Sequence, residues 1–217
     1  MLLFTGIKKW EELYRAVEEK LKNNGNGCHD FDHTLRVITN VCTLLKEIHD
    51  ADAEVTLLAA LLHDIARPEE DNSCGKICHA ELGAQIAVKM LTDAEIAPDI
   101  IARVSAAVRT HRFRRGNLPQ SIEAQIVYDA DKLDSLGAIG IGRAFLFAGR
   151  AGARLHNTAE EALNSPAYSA EDTAYREYLV KLRYIPEKMF TAAGRAIAAE
   201  RLGYMENFFS ELESELH

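Results

Sequence analysis

The sequence predicts an all-α protein, on three observations. Only 13 of its 217 residues are glycine and 5 are proline, too few for a loop-rich β architecture, and Ala, Leu, Glu and Arg favour helices. Apolar residues recur at three- and four-residue spacing along most of the chain, as one face of a helix requires. Helix caps and breakers stand between these stripes.

The elements follow in order. Ile7, Trp10, Tyr14, Val17 and Leu21 form a first stripe, which "NNGNG" ends. Asp30 or Asp32 is placed to cap a second helix carrying Val37, Val41, Leu44 and Ile48. Asp52 heads a third, with Val55, Ala59 and Leu62 inward and Pro68 as its stop. A fourth runs from about His79 through Leu82, Ile86 and Met90. Pro98 suits the first turn of a fifth, whose apolar face is Ile100, Val104 and Ala107. After the loop "RFRRGNLPQ", helices are expected over "SIEAQIVYDADKLDSLG" and "AIGIGRAFLFAG". Beyond Gly149 the pattern weakens. "TAEE" (158–161) resembles a capping box within a partly ordered excursion. Two more helices are expected, from about Asp172 to Arg183 and from about Pro186 to Glu215, the latter with Met189, Ile197, Met205, Phe208 and Leu212 inward.

Composition narrows the function. The chain is 47% hydrophobic and 27% charged, ordinary for a globular protein, and nothing in it marks a flexible linker. One domain over 1–217 is expected, with a core over about 28–150 and a helical extension over about 151–217 packed on it. The net charge of -8 argues against a nucleic-acid polymer as partner but leaves room for a local basic site. "MLLFTGIKKWEEL" is too short in its apolar run for a signal peptide. No 18-residue apolar span predicts a membrane helix. A cytoplasmic location with reduced thiols at Cys28, Cys42, Cys74 and Cys78 follows. "CGKICH" sets two cysteines beside His79, but a structural zinc site wants a second such pair. An oligomer stays open.

The chemistry-bearing residues share a pattern. "LLAALLHDIARP" ends an apolar run on His63 and Asp64, two ionisable groups that need partners there. His33 lies four before Val37, and His63 four after Ala59. His79 precedes Leu82 by three, and His111 follows Ala107 by four. Asp131 follows Val127 by four. Five helices thus each offer an inward polar group near one end. A lone inward histidine is more often a core or capping residue. Four with two aspartates need mutual compensation, which a divalent cation supplies.

His33, the pair His63–Asp64, His79, His111 and Asp131 resemble the H…HD…H…H…D signature of the HD-domain phosphohydrolase superfamily. "HDFDHTLRV", "RTHRFR" and "DADKLDSLGAIGIGRAF" are similar to segments of a bacterial subgroup of small stand-alone HD proteins, as is the "KL…M.T..GR.IA.ER" pattern from Lys181 to Arg201. The likeness spans roughly residues 28–210.

That resemblance implies an HD-domain helical bundle with a divalent metal on His33, His63, Asp64 and Asp131. His79 and His111 match positions that hold a second metal in binuclear relatives and contact phosphate in mononuclear ones. The expected cofactor is manganese, nickel, cobalt, iron, zinc or magnesium. Such a cation acidifies a bound water for attack on phosphorus, with Asp64 to orient the water and Lys132 beside the metal aspartate as a catalytic cation. Arg36, Arg67, Arg112 and Lys181 are candidate substrate contacts, whereas Arg114 and Arg115 read as ordinary loop charges. His29, Asp30 and Asp134 are candidates to orient ligands, Asp134 by holding Lys132 or a ligand histidine. "GAIGIG" lacks the GK[ST] of a phosphate loop, and its small residues suit close helix packing.

The expected activity is phosphohydrolysis of a small phosphorylated metabolite, a nucleotide above all. Nucleoside triphosphate pyrophosphohydrolysis ranks ahead of 5′-nucleotidase or phosphodiesterase action. The alternatives are an HD-type di-iron oxygenase and a noncatalytic HD signalling module, which typically loses the ligands kept here.

Overall fold

The computed structural model describes residues 8–22, 30–112 and 117–216. Among them lie eleven α-helices and no strand. The chain divides into two compact units, 1–130 and 131–217.

The first unit holds α1 (Lys8–Lys22), α2 (Phe31–Leu44), α3 (Ala53–Leu62), α4 (Arg67–Asn72), α5 (His79–Asp93), α6 (Pro98–Thr110) and most of α7 (Ile122–Leu133). Its centre is α3. Every residue from Val55 to Leu62 is buried, and a helix apolar on all sides belongs inside a bundle. Helices α1, α2 and α6 pack around it. Asp52 caps it, its carboxylate accepting from the Glu54 and Val55 N–H groups at 3.0 and 3.2 Å. Arg103 of α6 then bridges Asp52 and the buried Glu123 of α7 at 2.8 and 2.7 Å.

Two boundaries in this unit differ from expectation. Pro68 does not stop α3, which ends at Leu62; it opens α4. A proline's missing N–H costs nothing in a first helical turn, so the same residue ends one helix signal and starts another. Helix α2 ends at Leu44, leaving Ile48 beyond it. On α5 the buried face is Ala80, Gly83, Ala84, Ala87 and Leu91, while Leu82, Ile86 and Met90 are half-buried. The small residues let α5 lie close on α6: a Cβ at Gly83 would stand 3.5 Å from Val108 Cγ1 and 3.7 Å from the His63 carbonyl. Size, more than hydrophobicity, selects that face.

The second unit carries the end of α7, α8 (Gly137–Arg150), α9 (Ala159–Asn164), α10 (Ala174–Val180) and α11 (Ala192–Ser214). Helices α8 and α11 pack together, and α10 lies against α8 and α9. The capping box is present: Glu161 N–H donates to the Thr158 hydroxyl, and Thr158 N–H to the Glu161 carboxylate. Helix α10 is shorter than the expected Asp172–Arg183: Thr173 caps its start through the Arg176 N–H, and a separate 3-10 turn, Leu182–Tyr184, follows its end. Helix α11 starts at Ala192, not Pro186, because Thr191 caps it at Gly194 N–H and Pro186 heads a separate 3-10 turn. Gly194, Ala198, Met205 and Phe209 form its buried face, with Ile197, Phe208 and Leu212 half-buried. Tyr178 and Phe209 stack with centroids 4.6 Å apart. No helix among the described residues is long and apolar enough to cross a membrane.

The glycines of "GAIGIG" serve packing at one position in particular. A Cβ at Gly140 would collide with the Ser135 carbonyl, whereas one at Gly142 meets nothing within 4 Å. Gly140→Ala is therefore expected to cost about 1–3 kcal/mol, lowering Tm by roughly 2–12 °C. Gly142→Ala is expected to hold or raise Tm. Equal melting curves for the two variants, by calorimetry, would refute the packing role.

Candidate metal centre

Four histidines and one aspartate of the first unit converge where helices begin or end. His33 is the third residue of α2, which Asp30 caps by accepting from the His33 N–H at 3.1 Å. His63 directly follows α3, and Asp64 comes next. His79 opens α5, and His111 directly follows α6. All five are buried, with at most 3% of any residue exposed.

The rings form two pairs around one carboxylate. His33 Nε2 and His63 Nε2 lie 3.2 Å apart, and Asp64 Oδ2 stands 3.6 and 3.7 Å from them. His79 Nε2 and His111 Nε2 lie 3.1 Å apart, with Asp64 Oδ1 at 3.2 and 3.6 Å. Each oxygen of Asp64 thus faces its own pair of imidazoles.

The partners of the Nδ1 atoms assign the ring protons. His63 Nδ1 donates to the Ala60 carbonyl at 2.7 Å, and His111 Nδ1 to the Val108 carbonyl at 2.6 Å. His79 Nδ1 is in close contact with Glu70 Oε2. Carbonyls and carboxylates only accept, so these three rings carry hydrogen on Nδ1, the tautomer that in a neutral imidazole leaves the lone pair on Nε2. The lone pairs of His79 and His111 then face each other and Asp64 Oδ1. Protonating His79 is a poor remedy. Burial, helped by His111, pushes its pKa down to about 3, outweighing the opposing effects of Asp64 and Glu70. Atoms of Asp64, His79 and His111 all lie within 4.8 Å of one another, a donor set that a divalent cation fits.

Glu70 escaped the sequence reading. It is buried, accepts from the His79 N–H at 3.0 Å as well as facing its ring, and takes Arg112 Nη1 at 2.6 and 2.9 Å. Burial opposes its ionisation, but the bonds from Arg112 and His79 prevail and hold its pKa down to about 2. The available signal was "RPEED": proline in a first turn, then acids where the helix dipole favours them.

The other candidates have definite places. Arg112 is engaged by Glu70 and lies 3.1 Å from His79 Nδ1, between the carboxylate and the ring. Arg67 Nε lies 3.3 Å from Asp71 Oδ1, and Arg36 is half-buried on α2. Asn40, two turns after His33 on α2, donates to the Ala130 carbonyl at 3.0 Å and so holds α7 one residue before Asp131. Lys132 Nζ lies 2.7 Å from Asp131 Oδ2. Asp134 is buried and accepts from Arg143 Nη1 at 2.8 Å. Lys181 is exposed and pairs with Glu177. His29, Arg114 and Arg115 lie outside the described residues. Cys42, Cys74 and Cys78 are free thiols.

Known proteins share the sequence and fold of this chain. A family model for the HD domain matches residues 30–136. The uncharacterised protein YpgQ of Bacillus subtilis is 30% identical over 214 residues, covering 97% of this chain and 95% of its own. The structure of YpgQ in complex with ADP matches with a TM-score of 0.72 at 27% identity, over 96% of this chain and 95% of that one. An HD-superfamily hydrolase from Bacillus thuringiensis matches with a TM-score of 0.73 at 27% identity, over 96% and 97%. A likeness this extended, carried by a relative over nearly its whole length, means that the chain belongs to the HD-domain superfamily.

Proposed function

We propose that this protein is a divalent-metal-dependent phosphohydrolase that cleaves nucleoside triphosphates to the monophosphate and pyrophosphate. The observation that carries the reading is Asp64, whose two oxygens each face a pair of imidazole nitrogens. His33, His63, Asp64 and Asp131 would hold the metal, and His79 and His111 a second metal or a phosphate. A cation bound there polarises a phosphoryl oxygen and acidifies water.

The chain's own groups supply the rest. Asp64 accepts a hydrogen bond from the attacking water and so aims it. Hydrogen bonds from Nδ1 of His63 and His111 to backbone carbonyls fix the orientation of those rings. Lys132, with Arg36 and Arg67, brings positive charge to the phosphoryl oxygens as charge builds on them. That YpgQ has been solved with ADP supports a nucleotide as the ligand class. Free thiols fit the cytoplasmic setting this reading implies.

A metal-by-substrate screen tests it. Chelator-stripped protein is supplied with Mn, Co, Ni, Fe, Zn or Mg and offered nucleoside mono-, di- and triphosphates and cyclic nucleotides. Pyrophosphate released from triphosphates in a metal-dependent manner is the expected result. Orthophosphate alone would move the reaction to stepwise phosphatase action. No hydrolysis with any metal, together with oxygen uptake by the iron form, would replace hydrolysis with oxygenase chemistry.

A further inference from the structure

The arginines of α11, Arg195 and Arg201, have no part in the proposed reaction. We infer that Arg201 is a positioning residue for Asp131, locking the last turn of α7 that presents this carboxylate. The inference rests on the reading of Asp131 as a metal ligand.

The turn that closes α7 is held by short-range bonds. Asp134, Ser135 and Leu136 N–H groups donate to the carbonyls of Asp131, Lys132 and Leu133 at 3.2, 3.0 and 3.2 Å. These are i→i+3 bonds, with poorer geometry than those of an α-helix. Two arginines reinforce them. Arg201 Nη1 donates to the Leu133 carbonyl at 2.7 Å, across 68 residues of chain. Arg143 Nη1 donates to both the carbonyl and the carboxylate of Asp134 at 3.1 and 2.8 Å.

Arg201 is built into this place. It is half-buried, and burial lowers its pKa against the opposing effects of Asp134 and Glu200. Its aliphatic stem runs over Gly137, where a Cβ would come within 3.3 Å of Arg201 Cγ and where φ is +69°. A charged donor to a partly buried carbonyl is among the stronger hydrogen bonds available. Arg195, the other arginine of the same run, instead donates to the Met189 and Phe190 carbonyls and closes the approach to α11. The two arginines thus have separate tasks.

The test measures Mn²⁺ affinity by titration calorimetry on the metal-stripped full chain, well below the melting point of every variant. Arg201→Met is expected to raise the Kd about tenfold, the usual scale for a residue that orients a ligand. Arg201→Lys, which keeps one charged donor, is expected to stay within about threefold of wild type. Asp131→Asn is expected to weaken binding at least as much as Arg201→Met. Wild-type affinity in Arg201→Met beside a weakened Asp131→Asn overturns the positioning role, even if Arg201→Met melts earlier. Unchanged affinity in Asp131→Asn overturns the ligand reading and this inference with it. A wild type that binds Mn²⁺ but hydrolyses no phosphate ester refutes only the proposed activity.

Discussion

Asp64→Ala is expected to lower metal-dependent kcat/KM by about a thousandfold or more, corresponding to roughly 4 kcal/mol of lost transition-state stabilisation. Both oxygens of this carboxylate are engaged, one toward each imidazole pair, so its loss harms both halves of the centre. Asp64→Asn keeps the size and removes the charge, and is expected to lose nearly as much. Binding should fail before chemistry does. A cation at a hundred times its Kd stabilises the wild type by about 2.7 kcal/mol, which for a chain of this length raises Tm by roughly 5–11 °C. Neither variant is expected to show that rise. Metal-dependent turnover or a full thermal shift in Asp64→Asn would show that the carboxylate's charge is not what holds the cation.

Much of this centre was legible because each of its histidines sits beside an element with a plain signal. The apolar run Val55–Leu62 could only be an interior helix, and its last turn had to deliver His63 and Asp64 inward. Glu70 was hidden for a local reason. Pro68 satisfies a stop rule and a start rule equally, and reading it as a stop erased the six-residue helix that carries Glu70. The partner of Arg112 was hidden with it. The face of α5 shows a different limit. Periodicity favoured Leu82, Ile86 and Met90, but Gly83, Ala84 and Ala87 win because they let α6 approach. Interhelical distance is not written in any one helix. The start of α11 repeats the proline ambiguity, with Thr191 rather than Pro186 as the true cap.

Glu70→Ala is expected to damage stability and metal binding together. It strands the His79 ring and N–H, and leaves Arg112 without its carboxylate. Breaking a buried charged pair costs about 3–5 kcal/mol. The Arg112 side chain is 23% exposed, so about 3 kcal/mol is the better figure, a fall in Tm of roughly 6–12 °C. Metal affinity should drop about 10–100-fold, because His79 loses the acceptor that fixes its tautomer. Glu70→Gln separates charge from shape through its pH dependence. In the metal-free protein the Glu70 pKa falls from 4.5 to about 2. Its stabilisation is therefore complete above pH 4.5 and is lost as pH falls through 2. His79 falls from 6.5 to about 3, so the unfolded chain takes up that proton first and stability declines between pH 6.5 and 3. Both groups make the metal-free fold weaker in acid, in overlapping windows. Between pH 4.5 and 3 His79 weakens both proteins alike, so over that range the difference between the wild-type and Glu70→Gln melting curves reads the Glu70 part. The difference should be steady above pH 4.5 and shrink below it. A difference that stays constant from pH 4.5 to 3 would mean that Glu70 holds His79 and Arg112 by shape alone.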